Sequence, residues 1–288
     1  MLGRDLLARL AVQGAQVTAP PRAGLDIRER GPVLAAVAAA RPDIVVNCAA
    51  WTAVDDAEAR EEEALRINGA AAGHLAAACA AAGLPLLHVS TDYVFAGDAR
   101  EPYAEDAGPA PRTAYGRTKL AGERAVLDAL PGLGYIVRTA WLYGAGGASF
   151  VRTMTALERA RETLDVVDDQ YGQPTWTVDL ADRLVLLGEA ALRKAAPAGI
   201  YHGTSGGAAS WHELAQEIFR LAGADPRRVR RTSSLAYRRP APRPAYSVLG
   251  HDRWREAGVA PIRHWRPALA EAMPALLAAW RDDAGRGA

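Results

Sequence analysis

The chain has 288 residues, a formal net charge of +1, half of its residues hydrophobic and 23% charged. That length can bury a sizeable core as one large domain or two smaller ones, and near-neutrality leaves no field to attract nucleic acid or an anionic membrane. No basic-then-apolar leader opens it and no apolar run nears the ~20 residues that span a bilayer, so it reads as a cytoplasmic protein without a membrane partner.

In chain order, LGRDLLARLAV reads as a helix, GAQVTA as a weak strand and GPVLAAVAAAR as a helix. DIVVNCAA is a strand running into Trp51, and EEEALRINGAAAGHLAAACAAAG is one long helix stopped by Gly83. LPLLHVSTDYVF follows as a strand, apolar throughout, as expected where helices cover both sheet faces. After a Pro- and Gly-rich loop come the helix TAYGRTKLAGERAVLDAL and the strand GYIVRTAWLYG. Such alternation implies βαβ units and a doubly wound parallel sheet. The second half is less regular: TLDVVDDQYGQPTW is a strand into a loop, VDLADRLVLLGEAALRK a helix, GIYHGTSG a strand, WHELAQEIFRLAG a helix, and a last helix runs through WRPALAEAMPALLAAW. Cys48, in the apolar strand, and Cys79, in the Ala-rich helix, read as buried free thiols of a reducing compartment.

Tyr115 and Lys119 stand four apart in AYGRTKLAGE and share one helix face. A free phenol titrates near 10; a neighbouring ammonium favours the phenolate and draws that value toward the working range. The lysine can also hold a ribose hydroxyl, tying a cofactor to the catalyst. The bland alternative is a solvated pair on an exposed face. With nine tyrosines and only Lys119 and Lys194 as lysines, chance gives this spacing about 0.06 times per chain, which favours catalysis. Ser90 and Thr91 end the strand before it, at the carboxyl edge where open α/β sheets bind ligands. A hydroxyl there can stabilise a carbonyl oxygen as charge develops, or simply cap the next turn.

STDYVFAG, followed by the Tyr-x-x-x-Lys of YGRTKLAGE, resembles the dTDP-4-dehydrorhamnose reductases, a branch of the extended short-chain dehydrogenase/reductases. The likeness continues through NCAAWTAVDDAE, RTAWLYG, DDQYGQPTW and RPAPRPAYSVL. It implies a Rossmann-like α/β fold with a smaller C-terminal substrate-binding portion. The dinucleotide-binding domain is expected over 1–142 plus 176–199, and the substrate-binding portion over 143–175 plus 200–288. The implied reaction is NADPH- or NADH-dependent reduction of the C4 keto group of a dTDP-4-keto-6-deoxyhexose, by a monomer or homodimer.

By position, the resemblance makes Tyr115 the proton donor, Lys119 its partner and Thr91 the carbonyl-polarising hydroxyl. It places Leu2 and Gly3 at the pyrophosphate turn, Asp26 and Ile27 at the adenine, and Ala50, Trp51, Thr52 and Val89 along the cofactor. Asp92, Tyr93, Trp141 and Arg243 fall at the substrate, Arg243 toward its diphosphate; Trp51 and Trp141 also read as core aromatics, and Asn68 and Asp55 as braces of the loop. Arg22, after the second family strand, could meet a 2′-phosphate, which favours NADPH over NADH.

The family's first strand and Gly-x-x-Gly-x-x-Gly turn should precede the opening helix, with Gly3 as the last glycine. The expectation is that about ten upstream codons encode that strand and two glycines, since a chain without its central strand should fold poorly and bind dinucleotide weakly.

Sugar-nucleotide dehydratases follow Ser-Thr-Asp with Glu, where this chain has Tyr93, so dehydration is disfavoured. A related epimerase stays open, as does a non-catalytic regulatory subunit resembling the methionine adenosyltransferase β subunit. The arginines of 227–243 lack the interleaved aromatics of a nucleic-acid surface. The six histidines show no paired ligand spacing, and no metal is expected; Asp168 and Asp169 read as loop-shaping.

Overall fold

The apolar strands line up as one parallel sheet in a computed structural model, which describes residues 1–286, with side chains through Arg281. Helices α1 (Leu2–Val12) and α2 (Arg30–Ala40) lead into β1 (Val45–Asn47), α3 (Val54–Ala59), α4 (Glu61–Leu65) and α5 (Ala71–Ala82). Next come β2 (Leu86–Thr91), α6 (Ala114–Ala129), β3 (Gly134–Thr139), β4 (Leu142–Tyr143), α7 (Phe150–Ala160) and β5 (Leu164–Val167). Then follow β6 (Tyr171–Gly172), β7 (Thr175–Trp176), α8 (Thr177–Leu192), β8 (Gly199–His202), β9 (Ala209–Ser210) and α9 (Trp211–Leu221). Strand β10 (Val229–Thr232) and helices α10 (Arg253–Glu256) and α11 (Trp265–Arg286) complete the order.

The sheet runs β1-β2-β3-β8, every neighbour parallel. Strand alternation sends Leu87, Tyr135, Val137 and Tyr201 into a core with Leu2 and Leu6 of α1 and Leu180 and Leu184 of α8. Their neighbours Leu86, Ile136 and Ile200 turn the other way, against Val33 of α2, Leu75 and Cys79 of α5 and Val126 of α6. Helices therefore cover both faces, which is why these strands are apolar throughout. A separate core lies C-terminal to them: Tyr143, Val151, Met154, Val166, Leu214, Phe219 and Trp265, closed by three two-stranded pairings, β10-β5, β4-β7 and β6-β9. Helix α9 is fixed at its start by a Ser210–Glu213 capping box. Arg227, Arg228, Arg230 and Arg231 of the basic stretch pair with Asp225, Glu158, Asp165 and Asp168.

Three expectations are corrected. GAQVTA forms no strand: Gln16–Ala19 are exposed, and no described strand lies beside them to supply ladder partners. The long helix is broken by a π-helical turn at Arg66–Ala70. Cys79 is fully buried and free, but Cys48, also free, is only partly buried.

Helix α6 approaches that π turn so closely that a methyl at Gly122 would stand 2.2 Å from the Asn68 carbonyl oxygen. Only hydrogen fits there. Gly122→Ala is accordingly expected to cost about 1–3 kcal/mol through overpacking, read as a lower urea midpoint; an unchanged midpoint would show that the contact relaxes freely.

Candidate active site

Strand β2 ends at Thr91, and the chain turns at once into a 3₁₀ helix over Asp92–Val94. The Thr91 hydroxyl accepts from the Tyr93 N–H (3.2 Å) and donates to the Asp92 carboxylate (2.9 Å). Helix α6 begins opposite, its first turn capped by Thr113, which accepts from Gly116 N at 3.0 Å. Gly116 permits the approach, since a methyl there would meet the Tyr93 carbonyl oxygen at 2.2 Å. The result sets the Tyr115 ring edge-on to Tyr93, centroids 5.6 Å apart, with its phenol beside the Thr91 hydroxyl.

One turn on, Lys119 is 1% exposed. Its amine donates to the Val89 carbonyl (2.7 Å) and lies 3.3 Å from His88 Nε2. Burial pushes the Tyr115 phenol up to about 12 and the Lys119 amine down to about 8. The expected pull of an ammonium on the phenol is therefore not what the site shows: the Thr91 hydroxyl opposes the rise, and the lysine faces elsewhere. Tyr115 is a neutral phenol, which suits a proton donor better than a base.

Asp92 is 3% exposed, and burial pushes its carboxyl up to about 6 from the ordinary 3.8. Between about pH 4 and 6 the folded chain keeps a proton that the unfolded chain has released, so stability falls as pH rises through that window. Asp92→Asn, which cannot ionise, should exceed the parent in stability by up to about 3 kcal/mol at pH 7.5 and lose that advantage by pH 4. Urea melts at both values check this; a pH-independent difference would count against it.

Arg243 pairs with Asp55 at 2.7 Å, and Asp55 also accepts from Ala241 N (3.2 Å), tying the 241–243 segment to α3. Arg243, Tyr93, Arg112, Thr113 and Pro244 line a cavity of about 140 Å³. The loop carrying Ala50, Trp51 and Thr52 is gripped by Asn68, which bonds both the N–H (2.8 Å) and the carbonyl (3.2 Å) of Trp51 and also reaches Thr118. Leu2 is buried at the start of α1, and Gly3 faces Cys48. Asp26 is bound up with Arg28, which holds its carboxyl down to about 2; the Ile27 carbonyl meets His74.

Thr91, Asp92, Tyr93 and Tyr115 thus share one place, with Val89, Lys119 and Arg243 at its margins. Asp26 and Ile27 lie apart, beside α5, and Trp141 stacks on Trp211 of the second core at 3.3 Å. Sequence reasoning did not find Trp211, the Asp55 partner of Arg243, or the contact of His88 with Lys119. Only His88 left a signal, as a polar residue inside an apolar strand just before Ser-Thr.

The model of the RmlD substrate binding domain family matches residues 1–277. The chain is 60% identical to a dTDP-4-dehydrorhamnose reductase of Streptomyces griseus over 96% of this chain and 91% of that one. It is 55% identical to a dTDP-4-keto-6-deoxy-D-glucose reductase of Streptomyces niveus over 96% and 94%. A crystal structure of dTDP-4-dehydrorhamnose reductase from Bacillus anthracis in complex with NADP is 37% identical and superimposes with a TM-score of 0.89 over 94% of each chain. With the same fold and a match over nearly its whole length, the chain belongs to the RmlD substrate binding domain family.

Proposed function

We propose that this chain is an NADPH-dependent oxidoreductase that reduces the C4 keto group of a dTDP-4-keto-6-deoxyhexose. The observation that carries it is a neutral, buried Tyr115 phenol beside the Thr91 hydroxyl at the carboxyl end of a central parallel strand, in a chain whose relatives are named for this reaction.

The residues fit a dinucleotide. Lys119 has one backbone acceptor among the described residues, leaving an amine N–H for a ribose. The first turn of α1, at Leu2 and Gly3, has no side-chain cap, so its N–H groups suit a pyrophosphate. Asp26 and Ile27 would border the adenine, and Ala50, Trp51, Thr52 and Val89 the nicotinamide half. Exposed Arg22 favours NADPH over NADH through a 2′-phosphate.

The bound cofactor supplies hydride to C4. Thr91 and Tyr115 hydrogen-bond the C4 oxygen as negative charge builds there, and Tyr115 gives it the proton that completes the alcohol. Asp92 and Tyr93 border the sugar, Trp141 offers it the edge of its indole, and Arg243 leaves Asp55 for the diphosphate. Oxidation of NADPH by the purified chain with a panel of dTDP-4-keto-6-deoxyhexoses, with product stereochemistry assigned, tests this. A folded chain that oxidises NADPH with none of them would leave a non-catalytic binding role.

A further inference from the structure

His88 lies in β2 with its ring 1% exposed, between Asn47 of β1 and Lys119 of α6. Its protonation pattern follows from the groups around it. The Ala49 backbone N–H can only donate, and it donates to Asn47 Oδ1 at 3.0 Å. The Asn47 NH₂ is thereby turned to His88 Nδ1, 3.0 Å away, and an NH₂ also can only donate. Nδ1 must then be the lone-pair nitrogen. Complete burial holds the imidazole neutral, so its single hydrogen sits on Nε2, facing the Lys119 amine at 3.3 Å.

That direction matters for the lysine. An ammonium has no lone pair and would meet the ring N–H donor to donor; a neutral amine accepts it and still donates to Val89. Among the described residues, the groups around the amine supply no free anion to restore the charge. Glu123, one turn further along α6, spends both oxygens on Arg138 of β3 at 3.0 and 2.7 Å. The Cys48 thiol, beyond β1 and close to the Met1 amino group, is pushed up to about 11, and Tyr115 is a neutral phenol.

We propose that His88 is a positioning residue for Lys119: fixed as its Nε2–H tautomer through Asn47 by the Ala49 backbone amide, it hydrogen-bonds the amine and favours its uncharged form. Lys119, one turn along α6 from Tyr115, is then more readily deprotonated than an exposed lysine. This rests on the proposed reduction for its purpose but not for its test.

Nitrogen-15 NMR of the histidine-labelled protein shows the tautomer directly. A lone-pair-type Nδ1 and a protonated Nε2 are expected for His88, and the opposite tautomer overturns the proposal. The chain has only two lysines, and Lys194 is exposed, so lysine labelled with carbon-13 at Cε gives a buried signal and an internal reference. Lys119 should titrate at least ~1 pH unit below Lys194. In Asn47→Asp the carboxylate accepts from both Ala49 and the ring, reversing the tautomer, and the Lys119 midpoint should rise by about one unit or more. Adding His88→Leu should abolish that rise. A midpoint unmoved by Asn47→Asp, or a rise that persists without the ring, overturns the proposal. None of these readings requires turnover, so a chain inactive with every keto sugar would refute the function and leave this result standing.

Discussion

Tyr115→Phe should lower kcat by about 10³-fold, within the range that a positioned proton donor contributes, while thermal stability and NADPH affinity stay near those of the parent. The substitution removes one oxygen from a ring that keeps its place against Tyr93 and the α3–α4 side chains. Only the phenol oxygen and its proton, beside Thr91, are lost. Because the phenol is neutral throughout the physiological range, the loss should be similar at pH 6 and pH 8. Single-turnover reduction separates the chemical step from release. A variant with near-parental kcat would remove Tyr115 from the role.

Glu123→Ala should destabilise the fold by about 3–5 kcal/mol, the range for breaking a buried ion pair from one side. Arg138 and Glu123 have side chains 1% and 2% exposed, and the guanidinium also lies over the Phe95 ring at 4.8 Å. Removing the carboxylate leaves a buried cation with no other ion-pair partner among the described residues. At this chain length that corresponds to a fall in Tm of roughly 10 °C. Adding Arg138→Leu should recover most of the loss, since an apolar replacement of both partners is close to neutral. If the double variant is as unstable as the single one, the cost lies in the cavity and not in the unpaired charge.

The parts legible in the sequence were those set by local pattern. The strands Leu86–Thr91 and Gly134–Thr139 showed as apolar runs, Gly83 ended its helix in the left-handed conformation, and Tyr115 and Lys119 fell on one face of α6. What was hidden depends on contacts far apart in the chain. The π turn at Arg66–Ala70 sits where Gly122 of α6 packs against Asn68. The partner of Arg243 is 188 residues away. The environment of Lys119 is decided by His88 and Val89 on a strand that precedes it by about thirty residues, so four-residue spacing alone could not tell a charged lysine from an amine. Residues 16–19 had the composition of a strand but lacked a neighbour, and composition does not supply one.

Trp141 holds a left-handed backbone, φ 46°, which costs a bulky side chain on the order of 1–2 kcal/mol. Its stack on Trp211, 7° from coplanar, and the bare Cα of Gly172 beneath its indole hold it there. In the proposed complex this tryptophan is a wall already standing when the nucleotide sugar arrives. Little rotational freedom remains to be surrendered on docking, so affinity at that end of the pocket comes from rigidity installed during folding.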